Sequence, residues 1–98
     1  MTAYVISEVE FLDRERVEIY RKLASESVAA YGGRYLVRGG ASELIEGGPT
    51  PKALVIVEFP SMTTAKEWYA SPAYAKALEV RNGALDRRLV FVEGVNQS

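Results

Sequence analysis

ALVIVEFPS, residues 53–61, is a strand that runs straight into a helix start. Six of its first seven side chains are apolar, and Val55, Ile56 and Val57 are β-branched, which suits a pleated and largely buried surface. Pro60 cannot continue the ladder, and the hydroxyl of Ser61 can accept an orphan N–H of the next helix. The two faces of the strand differ. Val55, Val57 and Phe59 are wholly apolar and suit a helix-covered side, whereas Leu54, Ile56 and Glu58 are mixed.

Downstream, Met62, Ala65, Trp68 and Tyr69 recur at helical spacing. Ser71-Pro72 restarts the helix with a cap and a proline at its first position, so this helix is expected in two pieces. Tyr74, Ala77, Leu78 and Arg81 carry it to Asn82-Gly83, and RLVFVE at 88–93 reads as the last strand. Upstream, GGPTP at 47–51 is turn chemistry, and a short extended piece is expected at Glu43–Glu46. RYLVR at 34–38 is a strand, with a bulge or sharp bend expected at Gly39-Gly40. Before it, Asp13 caps an amphipathic helix of about five turns. Val17, Tyr20, Leu23, Ala24, Val28 and Tyr31 form its apolar side, and Gly32 closes it. AYVISEVEF at 3–11 alternates, with Val5, Val9 and Phe11 on one face and Tyr4, Ile6, Glu8 and Glu10 on the other.

The order is β-α-β-β-α-β, and each half can make a right-handed crossover. The expected fold is α+β and ferredoxin-like, one domain over residues 1–98. It has a four-stranded antiparallel sheet with both helices on one face. The opposite face gathers Tyr4, Ile6, Glu8, Arg34, Leu36, Arg38, Leu54, Ile56 and Glu58. It is too apolar for a solvated face and too charged for a dry one. A partner sheet enclosing a polar pocket satisfies both facts, so a homodimer is expected, with assembly beyond the dimer left open.

Composition removes several function classes. The net charge of −1 lacks the basic excess of a phosphate-neutralising nucleic-acid binder. The N-terminus has no basic stretch leading into an apolar one, and no apolar run approaches a membrane span. A cytoplasmic location is therefore expected, without membrane or nucleic-acid partners. There is no Cys and no His, so the usual zinc ligands and every Cys- or His-based catalytic group are absent. No metal and no cofactor are expected. Gly39-Gly40 is not a phosphate loop, since no helix with a following Lys-Ser/Thr opens there.

YGGRYLVRGG at 31–40, VEFPS at 57–61, WYASPAY at 68–74 and VEG at 92–94 resemble a family of uncharacterised bacterial proteins of about 100 residues within the dimeric α/β-barrel superfamily. The resemblance spans nearly the whole chain. It implies a ferredoxin-like protomer and a dimer whose two sheets form a barrel. The wider superfamily includes cofactor-free monooxygenases, muconolactone-type isomerases and haem enzymes, so the fold does not select a reaction. Family members often carry a Trp and an Arg after the Glu46-Gly47 pair, where this chain has GPTPKA. Haem enzymes of the superfamily commonly use a His ligand, which this chain cannot supply.

The candidate pocket comprises Tyr4, Glu8, Tyr31, Arg34, Arg38 and Glu58. Arg34 and Arg38 would lie roughly 13 Å apart on one strand face. A guanidinium there could hold a carboxylate or enolate-like anion. Equally, Arg and Glu could satisfy one another across the sheet. Tyr4 and Tyr31 are placed nearest this face as candidate proton donors. Trp68 reads as a core residue that packs the second helix on the sheet, with a pocket mouth as its alternative role. The functional expectation is a dimeric small-molecule-binding protein; whether it is also a cofactor-independent oxygenase- or isomerase-like enzyme on a small oxygenated metabolite is left open. The alternative is a non-catalytic dimeric scaffold or accessory protein.

Overall fold

Three capped helix starts and one glycine stop set the helical frame. A computed structural model of the protein describes residues 1–50 and 52–95. Its elements are β1 (Ala3–Phe11), α1 (Arg14–Ala30), β2 (Arg34–Arg38), β3 (Leu54–Phe59), α2 (Met62–Tyr69), α3 (Pro72–Arg81) and β4 (Leu85–Glu93). The Asp13 carboxylate accepts the Glu15 and Arg16 N–H groups at 3.1 and 3.2 Å. Ser61 Oγ accepts from Thr64 N–H at 3.0 Å, and Ser71 Oγ accepts from Tyr74 N–H at 3.1 Å. Ser71 and Pro72 thus restart the chain into α3, as their order implies. At the end of α1, Gly33 N–H donates to Val28 C=O at 2.9 Å and Gly32 N–H to Ala29 C=O at 3.1 Å. This paired closure needs Gly32 at φ +71°. Gly33 is required for space, because a Cβ there would lie 2.7 Å from the Phe59 ring.

The sheet is antiparallel with strand order β2-β3-β1-β4. Its helix side holds Val5, Val57 and Phe59 in one core with Val28, Trp68 and Tyr74. The fold is therefore the ferredoxin-like one that the element order implies. The other face is crossed by rows of side chains. One row is Arg34, Glu58, Tyr4 and Val92. The next, Val37, Ile56, Ile6 and Val90, is entirely apolar. The third contains Leu54, Glu8 and Arg88.

Three expectations need correction. The bulge in β2 lies between Tyr35 and Val37, not at Gly39-Gly40. Gly39, at φ +73°, ends the strand instead. The extra residue shifts the register by one, and a one-residue slip sends every following side chain to the opposite face. Arg38 therefore pairs with Val55 on the helix side, and Val37 takes its expected place on the open face. Second, Glu43–Glu46 form no strand and are exposed, because no neighbouring strand offers them a ladder. Third, β4 starts at Leu85, three residues early, where Leu85 pairs with Phe11 at the far end of β1. Of the turn segment at 47–51, Pro51 lies outside the described residues.

Candidate functional site

Between the sheet and the helices lies a partly open cavity of about 70 Å³. Val5, Ser7, Val9, Val55 and Leu89 form its floor, and Tyr20, Ala24, Val28 and Trp68 form its roof. The Trp68 indole sits 4.2 Å from the Tyr74 ring and 5.1 Å from that of Phe59, centroid to centroid. Its Nε1 donates to Ser27 Oγ at 3.0 Å, which fixes the indole plane. Trp68 is thus both a core residue and a cavity wall.

One wall is polar. Arg87 projects from β4 on the helix side, between Leu85 and Leu89 in the alternation of that strand. Its Nη1 donates to Tyr20 Oη at 2.7 Å, and Tyr20 Oη lies 2.6 Å from Tyr74 Oη. Burial fixes the direction of the second bond. Tyr74 is 0% exposed, and among the described residues its hydroxyl bonds only to Tyr20. Were Tyr20 to donate, the Tyr74 proton would be buried without an acceptor, at a cost of about 1–3 kcal/mol. Tyr74 therefore donates to Tyr20. Tyr20 accepts from both Tyr74 and Arg87 and keeps its own proton for the cavity it lines. Burial pushes the Tyr74 phenol far above its usual range, and the neighbouring Tyr20 adds to that, so it remains a donor at any ordinary pH. Burial also works against the charge on Arg87, but the two phenol oxygens more than offset it, and the guanidinium stays charged.

Arg87 has no carboxylate partner among the described residues, where the ion pairs use Arg16, Arg21, Arg34 and Lys52. Two further arginines reach the cavity wall. Arg21 lies beside the Phe11 ring and is tied to Glu18, and Arg38 stacks 4.0 Å from the Tyr35 ring centroid while bonding Ser25 of α1. Among the described residues, no Asp or Glu lines the cavity.

The sequence-predicted residues are divided between two faces. Tyr4, Arg34 and Glu58 come together at one end of the open face, where Arg34 Nε donates to Glu58 Oε1 at 3.0 Å. Tyr4 and Glu58 border an open groove of about 720 Å³ there. Glu8 lies on the same face four residues along β1, across from Arg88. Tyr31 packs against the core on the helix side, and Arg38 reaches the enclosed cavity. A strand start at position 88 leaves Arg87 in the preceding turn, whereas β4 begins at Leu85 and includes it. Its signal was a lone charge in the alternating set Leu85, Arg87, Leu89 and Phe91.

Among the described residues, no group of three or more His, Cys, Asp or Glu side chains could hold a metal. No helix there is long and apolar enough to cross a membrane.

The βαββαβ order, the 2-3-1-4 sheet and the helices on one face make this a ferredoxin-like protein. The chain belongs to the family of the domain of unknown function DUF1330, which matches residues 2–95. It resembles a protein of unknown function from Rhodopseudomonas palustris at 22% identity and a TM-score of 0.78, covering 98% of this chain and 84% of that one. A dimeric ferredoxin-like protein of unknown function from Thermobifida fusca is similar at 16% identity and TM-score 0.62, over 94% of this chain and 90% of that one. A provisionally assigned antibiotic biosynthesis monooxygenase from Deinococcus radiodurans is similar at 17% identity and TM-score 0.64, over 100% and 96% of the two chains. No curated protein matches the sequence.

Proposed function

We propose that this protein is a homodimer that binds a small oxygenated metabolite in the cavity between its sheet and its helices. The observation that carries the reading is the pairing of Arg87 with Tyr20, itself bonded to the buried Tyr74 behind it, on one wall of a cavity whose floor and roof are mainly apolar. Ligand sites are mostly apolar, with a few placed polar groups that orient the bound molecule. At about 70 Å³ the cavity admits a molecule of a few heavy atoms. A cofactor-independent reaction there would draw on the Tyr20 hydroxyl as proton donor and Arg87 as the holder of developing negative charge. The similarity to a provisionally assigned monooxygenase is compatible with such chemistry.

The dimer rests on the open face. Its central apolar row, with Val90 45% and neighbouring Val92 42% exposed, is flanked by rows that carry both signs of charge. Such a face is complementary to a copy of itself. Relatives described as dimeric and ferredoxin-like support the same reading.

A second reading, a dimeric scaffold without a ligand, is favoured by the cavity volume, which is well below the roughly 300 Å³ of ordinary ligand sites. Native mass spectrometry of gently purified protein separates the two. A dimer carrying extra mass that is lost in an Arg87→Met variant supports the cavity site. A clean dimer, together with a Trp68 emission that small oxygenated molecules leave unchanged, supports the scaffold.

A further inference from the structure

We propose that the cavity is an anion site, in which Arg87 and Tyr20 together hold a carboxylate or enolate oxygen of the ligand. This rests on the cavity reading above and names the class of molecule that the cavity takes. The argument is a count of donors and acceptors. A guanidinium has five N–H donors, and Arg87 has spent one on Tyr20. The Tyr20 oxygen is already the acceptor of two bonds, so its remaining capacity is to donate. Both groups line the cavity, and among the described residues no carboxylate side chain does. The polar wall is therefore rich in donors and poor in acceptors.

Charge points the same way. Arg87 is half-buried with no counter-ion among the described residues, and Arg21 and Arg38 add positive charge at the cavity edge. An arginine held by a phenol, rather than by a carboxylate, keeps its remaining N–H donors free for a planar anion. The floor and roof around it, with Val9, Val55 and Trp68, match a short apolar body. The ligand class is a small organic acid or the enolate of a small carbonyl compound.

The test uses isobutyrate and its neutral isostere isobutyramide. Each is titrated into wild-type protein, Arg87→Met and Arg87→Lys at neutral pH. The readouts are the emission and the indole N–H resonance of Trp68, the single tryptophan of the chain. The acid is expected to bind wild type about tenfold more tightly than the amide or better. That preference falls to about one in Arg87→Met and returns in part in Arg87→Lys, which keeps the charge but loses the fork. Equal binding of acid and amide to wild type overturns the anion assignment while leaving the cavity a ligand site. No response to either molecule removes the cavity reading itself, and the anion assignment with it. Should Arg87→Met fail to fold, the wild-type comparison and Arg87→Lys still decide the matter.

Discussion

On the open face of the sheet Arg34 reaches Glu58 at 3.0 Å, in a row that also contains Tyr4 and Val92. On the helix face Arg87 stands among Leu85, Leu89 and the cavity floor, and its side chain bonds to a phenol instead of a carboxylate. The two arginines belong to one sheet and both have apolar neighbours, yet their electrostatic situations are opposite. A guanidinium that already has its carboxylate is satisfied within the protein. One that has been drawn into a low-dielectric enclosure with spare donors gains most from an anion brought in from outside. Four substitutions test whether the enclosed face is the binding face and the open face the assembling one.

Trp68→Ala has the largest expected effect. It removes a buried indole that packs on Phe59 and Tyr74 and opens the cavity roof. Large aromatic truncations of this kind cost about 3–5 kcal/mol, a large share of a small domain's stability. Urea or thermal unfolding reads the loss. A variant nearly as stable as wild type would mean that the helices are held on the sheet mainly by other contacts.

Val92→Asp acts on the other side. In a monomer it is nearly neutral, because the side chain is 42% exposed. In a sheet-to-sheet dimer it places an unpaired charge in a desolvated seam, which costs about 3 kcal/mol or roughly a hundredfold in dimer dissociation. Sedimentation velocity across a dilution series reads it. An unchanged dimer would place the interface elsewhere and leave the apolar row without its explanation.

Tyr74→Phe has a smaller effect with a pH signature. Removing the hydroxyl takes away one buried hydrogen bond, worth about 1 kcal/mol. Because burial raises the Tyr74 phenol above its unfolded value, the folded state keeps a proton that the unfolded chain loses above about pH 10. The stability linked to this group is present below pH 10 and declines as pH rises beyond it. Wild type is therefore expected to weaken in alkali more steeply than Tyr74→Phe, as seen in denaturant midpoints from pH 8 to 11. Parallel slopes would count against the buried donor and against the bond direction that leaves Tyr20 free.

The enclosed face was harder to read from sequence than the open one, for physical reasons. Caps and breaks are local: Asp13, Ser61, Ser71-Pro72 and Gly32 act on backbone groups within a few residues, and each does what its chemistry implies. Register is not local. The bulge that turns Arg38 inward is set by how Val37 meets Ile56, and nothing within RYLVR distinguishes Leu36 from the glycines that follow as its site. The early start of β4 depends likewise on β1 extending to Phe11, which lets Asp86 and Arg87 join a ladder where their charges suggest a loop. The aromatic residues of the site were visible as helix-stripe positions, but the meeting of Tyr20 with Tyr74 and Arg87 joins segments more than fifty positions apart.

Arg34→Ala should have the smallest effect, and it separates the two locations most directly. The Arg34 side chain is 72% exposed and its partner Glu58 25% exposed, so the pair contributes no more than about 1 kcal/mol. With the ligand in the enclosed cavity, the variant loses that much stability at most and binds small carboxylates as wild type does, because the sheet stands between Arg34 and the cavity. With the ligand in the groove beside Tyr4 and Glu58, the same variant loses binding while Arg87→Met keeps it. Isothermal titration of both variants with one carboxylate reads this as a crossed pattern. A result in which Arg34 matters and Arg87 does not would return the site to the open face and make the half-buried Arg87 a structural donor to Tyr20.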